Sequence, residues 1–161
     1  MKLRILTILC FLLLPAAPTL AQSTPEKTPD MSTELRNAFN EVNGWVTKSA
    51  EMVPADKYNY RPVDTVRTFG QLIAHLTDSY NYFCAKGAGN DVKWSEAVEK
   101  AATDKDTLLP KFKEAVGRCE AAYSSSNAQL RPLFMNINHT SMHYGNLITY
   151  MRMLGLKPPS S

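Results

Sequence analysis

The chain has 161 residues, of which 18 are Lys or Arg and 15 are Asp or Glu, so its formal net charge at pH 7 is only +3. A chain of this length builds one ordinary domain with its own hydrophobic core. So small a charge argues against the basic surface by which proteins bind nucleic acid and against a polybasic helix that binds anionic membranes.

The N-terminal segment has the layout of a secretory signal peptide. Lys2 and Arg4 precede an apolar run over residues 5–14, and residues 15–21 are rich in proline and small side chains. That order is typical of export signals, and the apolar run is too short for a stable membrane-spanning helix. We therefore expect cleavage after Ala21 and export to the periplasm or the cell exterior, with an uncleaved N-terminal anchor as the alternative.

Cleavage of the predicted signal peptide changes both the length and the charge of the chain. It would remove 21 residues, leave 140 and lower the net charge to +1, because two basic residues are lost. Residues 22–30 are polar and lack apolar periodicity, which predicts a flexible leader. Residues 31–161 are then predicted to form one domain, without internal repeats and without membrane insertion.

Two helices are predicted in the first half of this domain. Apolar side chains recur at three- and four-residue steps over residues 33–52, which indicates an amphipathic helix. Thr68 and Gln71 form a T-x-x-Q capping box at the start of the second helix. Gly87 and Gly89 end that helix.

Two further helices are predicted over residues 103–123 and 132–154. Residues 90–102, which precede them, are less regular and contain a short turn around Trp94. Pro110 either kinks the third helix or marks its first turn. The apolar faces assigned to these two helices consist of Leu109, Phe112, Val116, Cys119 and Tyr123, and of Ile137, Ser141, Tyr144, Ile148 and Met151.

Strand signals are nearly absent from the sequence. No segment alternates cleanly between apolar and polar residues, and no Asn-Gly or Asp-Gly hairpin turn occurs. Four helices of these lengths joined by connections predict an all-α fold, an up-and-down-type four-helix bundle.

Two cysteines, Cys84 and Cys119, remain after the predicted cleavage. In an oxidising compartment they could form a disulfide, which would contribute about 4 kcal/mol in the loop-entropy model. The alternative is a pair of buried free thiols.

The sequence contains only three histidines, His75, His139 and His143. The last two stand four residues apart on one predicted helix, so their rings lie on one face, where both can reach one cation. His75 lies on another helix and can point into the bundle. Three imidazoles leave a coordination position open, which is typical of catalytic metal sites. The alternative is that the three rings are packed without a metal.

Other metal motifs do not fit the sequence. Thr140 follows His139, whereas zinc proteases of the H-E-x-x-H class need glutamate at that position. No Glu-x-x-His pair and no Cys-x-x-Cys-His occurs, which excludes a di-iron carboxylate bundle and covalently attached haem.

Asp78, one turn after His75, is the candidate catalytic residue. It could orient the imidazole of His75 or act as a base, and the alternative is an exposed carboxylate on the surface of the helix. Asn146 and Tyr150 lie near the histidine face of the last helix, either as site residues or as ordinary packing.

Two segments resemble the DinB-like superfamily, which includes bacillithiol- and mycothiol-dependent transferases. One segment, from Asn138 to Asn146, reads Asn-His-Thr-Ser-Met-His-Tyr-Gly-Asn, and the other, from Val66 to Leu76, reads Val-Arg-Thr-Phe-Gly-Gln-Leu-Ile-Ala-His-Leu. Together they contain every histidine of the chain, and the likeness extends over about residues 31–161.

This resemblance implies a four-helix bundle whose single metal site is built from His75, His139 and His143. It also implies a divalent metal ion, zinc or nickel, and a homodimer. A cation at such a site would lower the pKa of a bound water or thiol, which suits a transferase or hydrolase reaction. Many members continue after the last histidine with Arg-Gly-Gln, where this chain has Gly145 and Asn146 after a tyrosine.

Three functions are compatible with these observations. The first is a metal-dependent enzyme that acts on a small-molecule substrate. The second is a non-catalytic metal-binding or stress-related envelope protein, and the third is a metal-free interaction module.

Overall fold

The computed structural model describes residues 30–101 and 103–161, and within these ranges all regular structure is helical, as predicted. The predicted signal peptide and most of the predicted leader lie outside the described residues. The helices are α1 (Met31–Met52), α2 (Phe69–Gly87), the short α3 (Ala97–Ala101), α4 (Lys105–Ser124) and α5 (Leu130–Met153), with a 3₁₀ turn at Ala55–Lys57. None of the described helices is long and apolar enough to cross a membrane.

Polar side chains fix where three of the long helices begin. Asp30 accepts the backbone N–H of Thr33 at the start of α1, and Asp104 caps α4 in the same way. The capping box predicted for α2 is confirmed, because Thr68 Oγ1 accepts the N–H of Gln71 at 3.1 Å and the Gln71 amide accepts the N–H of Thr68 at 2.9 Å. Each cap satisfies backbone donors that a helix leaves without internal partners.

The four long helices form a bundle in which chain order is not the order around the axis. Both α1 and α2 pack against α4 and against α5, so α1 and α2 occupy opposite corners. Phe39 of α1 stacks on Tyr123 of α4, with ring centroids 4.3 Å apart, and also contacts Tyr80 of α2. The short helix α3 lies on α2, which brings the connection between α2 and α4 next to the face of α2 that carries His75.

The buried faces of α4 and α5 agree only in part with the predicted ones, since five of the ten predicted positions are buried. Ser141 is exposed, and Leu109, Val116, Ile137 and Ile148 are only half-buried. The positions buried in addition to the correctly predicted ones are Leu108, Ala115, Ala122, Leu133, Asn136, Thr140, His143, Leu147 and Tyr150. On each helix the predicted face lies about one residue further along the chain than the buried one. On α5 three of the missed positions, Asn136, Thr140 and His143, are polar side chains that face the core.

Hydrogen bonds inside the bundle make this burial of polar groups possible. Thr140 Oγ1 donates to the carbonyl of Asn136 at 2.8 Å, and Asn136 Nδ2 donates to the hydroxyl of Tyr123 at 3.2 Å. That hydroxyl donates in turn to the carbonyl of Leu133 at 2.7 Å. Buried polar groups with partners cost little free energy, so a face of α5 that looks half-polar in sequence lies in the core.

Pro110 does not mark the start of α4. The helix begins at Lys105, so Pro110 is its sixth residue and lies in the second turn. Lacking an N–H, it leaves the carbonyl of Asp106 without an intrahelical partner. The side chain of Pro110 is exposed.

Cys84 of α2 and Cys119 of α4 form a disulfide, with their Cα atoms 5.0 Å apart. The sequence left open a disulfide or two buried free thiols, and the structure has the disulfide. Both cysteines are buried, and the bond ties together two helices that already pack along their length.

Removing this cross-link should lower the stability of the protein. We expect the double variant Cys84→Ala/Cys119→Ala to lose roughly 2–5 kcal/mol of unfolding free energy, because the unfolded chain gains entropy. Urea denaturation without reductant measures the change, and the wild type with reductant is the control for the altered side-chain volume. Equal stability of the wild type with and without reductant would contradict a stabilising disulfide.

Candidate metal centre

The fold brings all three histidines together. His75 lies on α2, and His139 and His143 lie on successive turns of α5, the helix packed against it. One ring nitrogen from each histidine lies within 4.8 Å of the other two. His75 and His143 are buried, and His139 is half-buried.

The spacing of the His75 and His139 nitrogens fits ligation of a single divalent cation. Nε2 of His75 and Nε2 of His139 are 3.2 Å apart. Two nitrogens bound at about 2.0–2.1 Å to one tetrahedral zinc are themselves roughly 3.3 Å apart. Imidazole is a ligand that zinc and nickel both accept. The donor set therefore suits the ion that the resemblance implies.

Glu99 of α3 controls the ring of His75. Its Oε2 lies 3.2 Å from Nδ1 of His75, and its Oε1 accepts from Nε of Arg67 at 2.7 Å. A carboxylate can only accept, so Nδ1 of His75 carries the proton and Nε2 presents its lone pair toward His139. Carboxylates that hold metal-binding histidines in this way fix the tautomer and orientation of the ring.

Asp78 is buried and makes its hydrogen bonds to backbone. Its two oxygens accept the N–H groups of Val98 and Glu99, at 3.0 and 2.9 Å. Asp78 is therefore not the exposed surface carboxylate that the sequence left as an alternative. In the described part of the chain no hydrogen bond joins Asp78 to a histidine ring, and its catalytic role stays a prediction. Its contacts instead anchor the start of α3, which carries Glu99.

Burial keeps the histidines neutral. It lowers the pKa of His139 to about 4, with a further contribution from the neighbouring His75. Burial, followed by His139 and His75, lowers the pKa of His143 to about 4. For His75, burial and then the Arg67 guanidinium lower the pKa, and Glu99 opposes them. A metal binds the neutral form of imidazole, so at neutral pH these rings need not lose a proton to bind one.

The other ring nitrogens of the α5 histidines differ in their surroundings. Nδ1 of His139 is buried, and among the described residues nothing hydrogen-bonds to it. Nδ1 of His143 lies 3.4 Å from the side-chain amide of Asn146. The amide oxygen and nitrogen exchange places by rotation, and with the oxygen toward the ring it would accept the proton of Nδ1 and leave Nε2 for a cation.

Aromatic rings form one wall of the site. The ring centroid of Trp94 is 5.6 Å from that of His75 and 6.5 Å from that of His139, and Phe83 lies 5.9 Å from His139. Trp94 itself is exposed on its outer face.

A cleft opens on the other side of the histidines. It has a volume of about 350 Å³, and we call it the His143 cleft. Its lining residues are Pro62, Thr65, Val66, Arg67, Leu72, His143, Asn146 and Tyr150. Asn146 and Tyr150, which the sequence places near the histidine face, thus line the approach to it. Arg67 and Glu99 were missed as site residues. Arg67 belongs to the segment that carries the family resemblance but precedes the helix, and Glu99 lies outside the long periodic helices.

The fold and the site together define an all-α bundle with a three-histidine cluster between two of its helices. The family model of the DinB superfamily matches residues 34–148, and the chain belongs to this superfamily. It is also 25% identical over 136 residues to the uncharacterized protein YjoA of Bacillus subtilis (strain 168), a match that covers 74% of this chain and 84% of that protein. The resemblance noted in the sequence is confirmed.

For the predicted metal site, Glu99→Gln should weaken metal binding. The amide keeps the size of the side chain but removes the charge that orients His75, so we expect a loss of affinity of roughly 10- to 100-fold. Competition with a chromophoric zinc chelator measures the affinity.

Glu96→Gln is the matched control for this variant. Glu96 lies three residues away and pairs with Lys100 at the surface, at 3.2 Å, so its neutralisation should leave the affinity unchanged. Equal affinities of wild type and Glu99→Gln would show that the carboxylate does not act on His75.

Proposed function

We propose that this DinB-superfamily protein binds one divalent cation through His75, His139 and His143 and is an exported metal-dependent enzyme of the hydrolase or transferase type. The observation that carries the proposal is the convergence of three neutral imidazoles beside a cleft large enough for a small molecule. Zinc and nickel are the ions that this ligand set favours.

A cation held by three protein ligands supplies Lewis acidity and lowers the pKa of a water or thiol that reaches it. The chain's own residues provide the remaining conditions. Glu99 holds His75, Trp94 packs beside the His75 ring, and the cleft next to His143 admits a ligand. Asp78 would serve by positioning Glu99, since its contacts are with the backbone of α3.

Export is supported by two independent features. One is the signal-peptide layout of residues 1–21, and the other is the disulfide between Cys84 and Cys119, because structural disulfides persist in oxidising compartments. Determination of the mature N-terminus by mass spectrometry tests this part, with Gln22 as the expected first residue.

A non-catalytic metal-binding or stress-related envelope protein is the second candidate. It is favoured by the hydrogen bonds of the two carboxylates near the site, the buried Asp78 and the half-buried Glu99. Both oxygens of Glu99 are engaged, by Arg67 and His75, and both oxygens of Asp78 accept backbone N–H groups. Neither carboxylate is therefore free to act as a general base in the arrangement described.

Metal content tests the proposed site directly. We expect purified wild type to hold about one equivalent of zinc or nickel and His139→Ala to hold none, because two imidazoles remain where three are needed. Elemental analysis measures the content, with the exposed Asn138→Ala on the same helix as control.

The same variants separate metal binding from folding. A chelator should lower the melting temperature of wild type and Asn138→Ala, since an ion bound only by the folded state stabilises it by mass action. It should leave His139→Ala unchanged. No metal in the wild type, even after reconstitution, would contradict the site and favour the interaction module.

Ligand exchange distinguishes the two metal-dependent functions. In a cobalt-substituted form, azide or a small thiol should change the visible spectrum of an enzyme with an open coordination position. A spectrum that neither ligand alters would indicate a closed site and favour the non-catalytic alternative.

A further inference from the structure

Arg67 is the charged residue of the His143 cleft, and only part of its guanidinium is occupied. Its Nε donates to Glu99 at 2.7 Å, and its backbone carbonyl accepts from the hydroxyl of Tyr150 at 2.9 Å. Among the described residues no oxygen accepts a hydrogen bond from its two terminal nitrogens, and its side chain is 37% exposed. The guanidinium is thus anchored on one edge and accessible on the other.

The start of α2, which also borders the cleft, does not provide an anion site. Its first backbone donors are already used, because Phe69 donates to the carbonyl of Tyr60 at 2.8 Å and Gly70 to that of Tyr58 at 2.7 Å. The next donor, Gln71, is taken by the cap at Thr68. The attraction for an anion therefore comes from Arg67 and not from the end of the helix.

The charges around the histidines make anion binding depend on the cation. Arg67 carries one positive charge, and Glu99 and Asp78 each carry a negative one, so the neighbourhood without metal is net negative. A divalent cation between the histidines would make it net positive. A negatively charged group is therefore attracted to the cleft of the metal-loaded protein and repelled in the metal-free one.

The size and lining of the cleft restrict the molecule further. A volume of about 350 Å³ is at the small end of ligand pockets. Its walls combine apolar groups of Pro62, Val66 and Leu72 with polar groups of Thr65 and Asn146. This suits a short chain with a polar group at each end.

The geometry points to a carboxylate subsite: Arg67 binds the carboxylate of a small-molecule substrate in the His143 cleft, while a second group of that molecule reaches the ion at the three histidines. A carboxylate is favoured because its two oxygens match the planar fork of a guanidinium. This inference rests on the proposed function, since it needs the bound cation, and it names the substrate class of that site.

Two hydroxamates that differ at one end test the subsite. Succinic acid monohydroxamate carries a carboxylate, and its terminal carboxamide analogue has the same shape without the charge. Both bind metal through the hydroxamate. In cobalt-loaded wild type we expect the carboxylate form to bind about 10-fold more tightly or better, because a charge-assisted hydrogen bond is gained.

The preference should disappear in Arg67→Gln, while the affinity for the carboxamide form stays as in the wild type. Arg67→Lys, which keeps the charge, should recover part of the preference. Arg61→Gln is the matched control, because Arg61 lies on the same connection but pairs with Asp64 at 3.0 Å. It removes one positive charge outside the cleft and should retain the preference.

The outcomes separate the subsite from the proposed function. A metal-loaded wild type without preference for the carboxylate, or an unchanged preference in Arg67→Gln, would overturn the subsite and leave the metal site intact. A wild type that takes up no metal would overturn both. Metal content and the cobalt spectrum are recorded for each variant, since Arg67 also contacts Glu99.

Discussion

The packing of α2 against α5 is the constraint on which the rest of the molecule depends. It places His75 of α2 opposite His139 and His143 of α5. Without this packing, His75 would not meet the other two histidines. The disulfide strengthens this arrangement from the other side, because it ties α2 to α4. With α2 held against two neighbours, polar side chains along it are buried, and each has to find a partner within the fold.

The connection between α2 and α4 provides partners for two of them, His75 and Asp78. The backbone of Thr103 lies so close to Gly70 that an added Cβ would overlap its carbonyl oxygen, so glycine lets this segment lie across the start of α2. Asp78 then caps α3 with both oxygens, and Glu99 on α3 reaches His75 and Arg67. A buried carboxylate is costly unless its oxygens are hydrogen-bonded. Here the hydrogen bonds that satisfy Asp78 also position Glu99, which fixes the orientation of the His75 imidazole.

The sequence predicts the fold better than it predicts the surroundings of the site. Long periodic segments and the capping box at Thr68 define the helices, and the four-residue spacing of His139 and His143 places both on one face whatever the tertiary packing. Glu99 could not be predicted in this way, because it lies on a five-residue helix that only tertiary contacts stabilise. The buried face of α5 was misjudged because hydrogen-bonded Asn136 and Thr140 look exposed in a hydrophobicity pattern.

The energetics of the histidine cluster argue that it serves a ligand and not the stability of the bundle. Three imidazoles are held neutral by burial, two of them with a pKa near 4, and Nδ1 of His139 is buried without a hydrogen-bond partner among the described residues. Apolar side chains of similar volume would fill these positions without such costs. Local conflicts of this kind are concentrated at functional sites. A cation bound by one nitrogen of each ring would offset the cost of gathering three neutral imidazoles in the bundle, which supports the proposed metal centre.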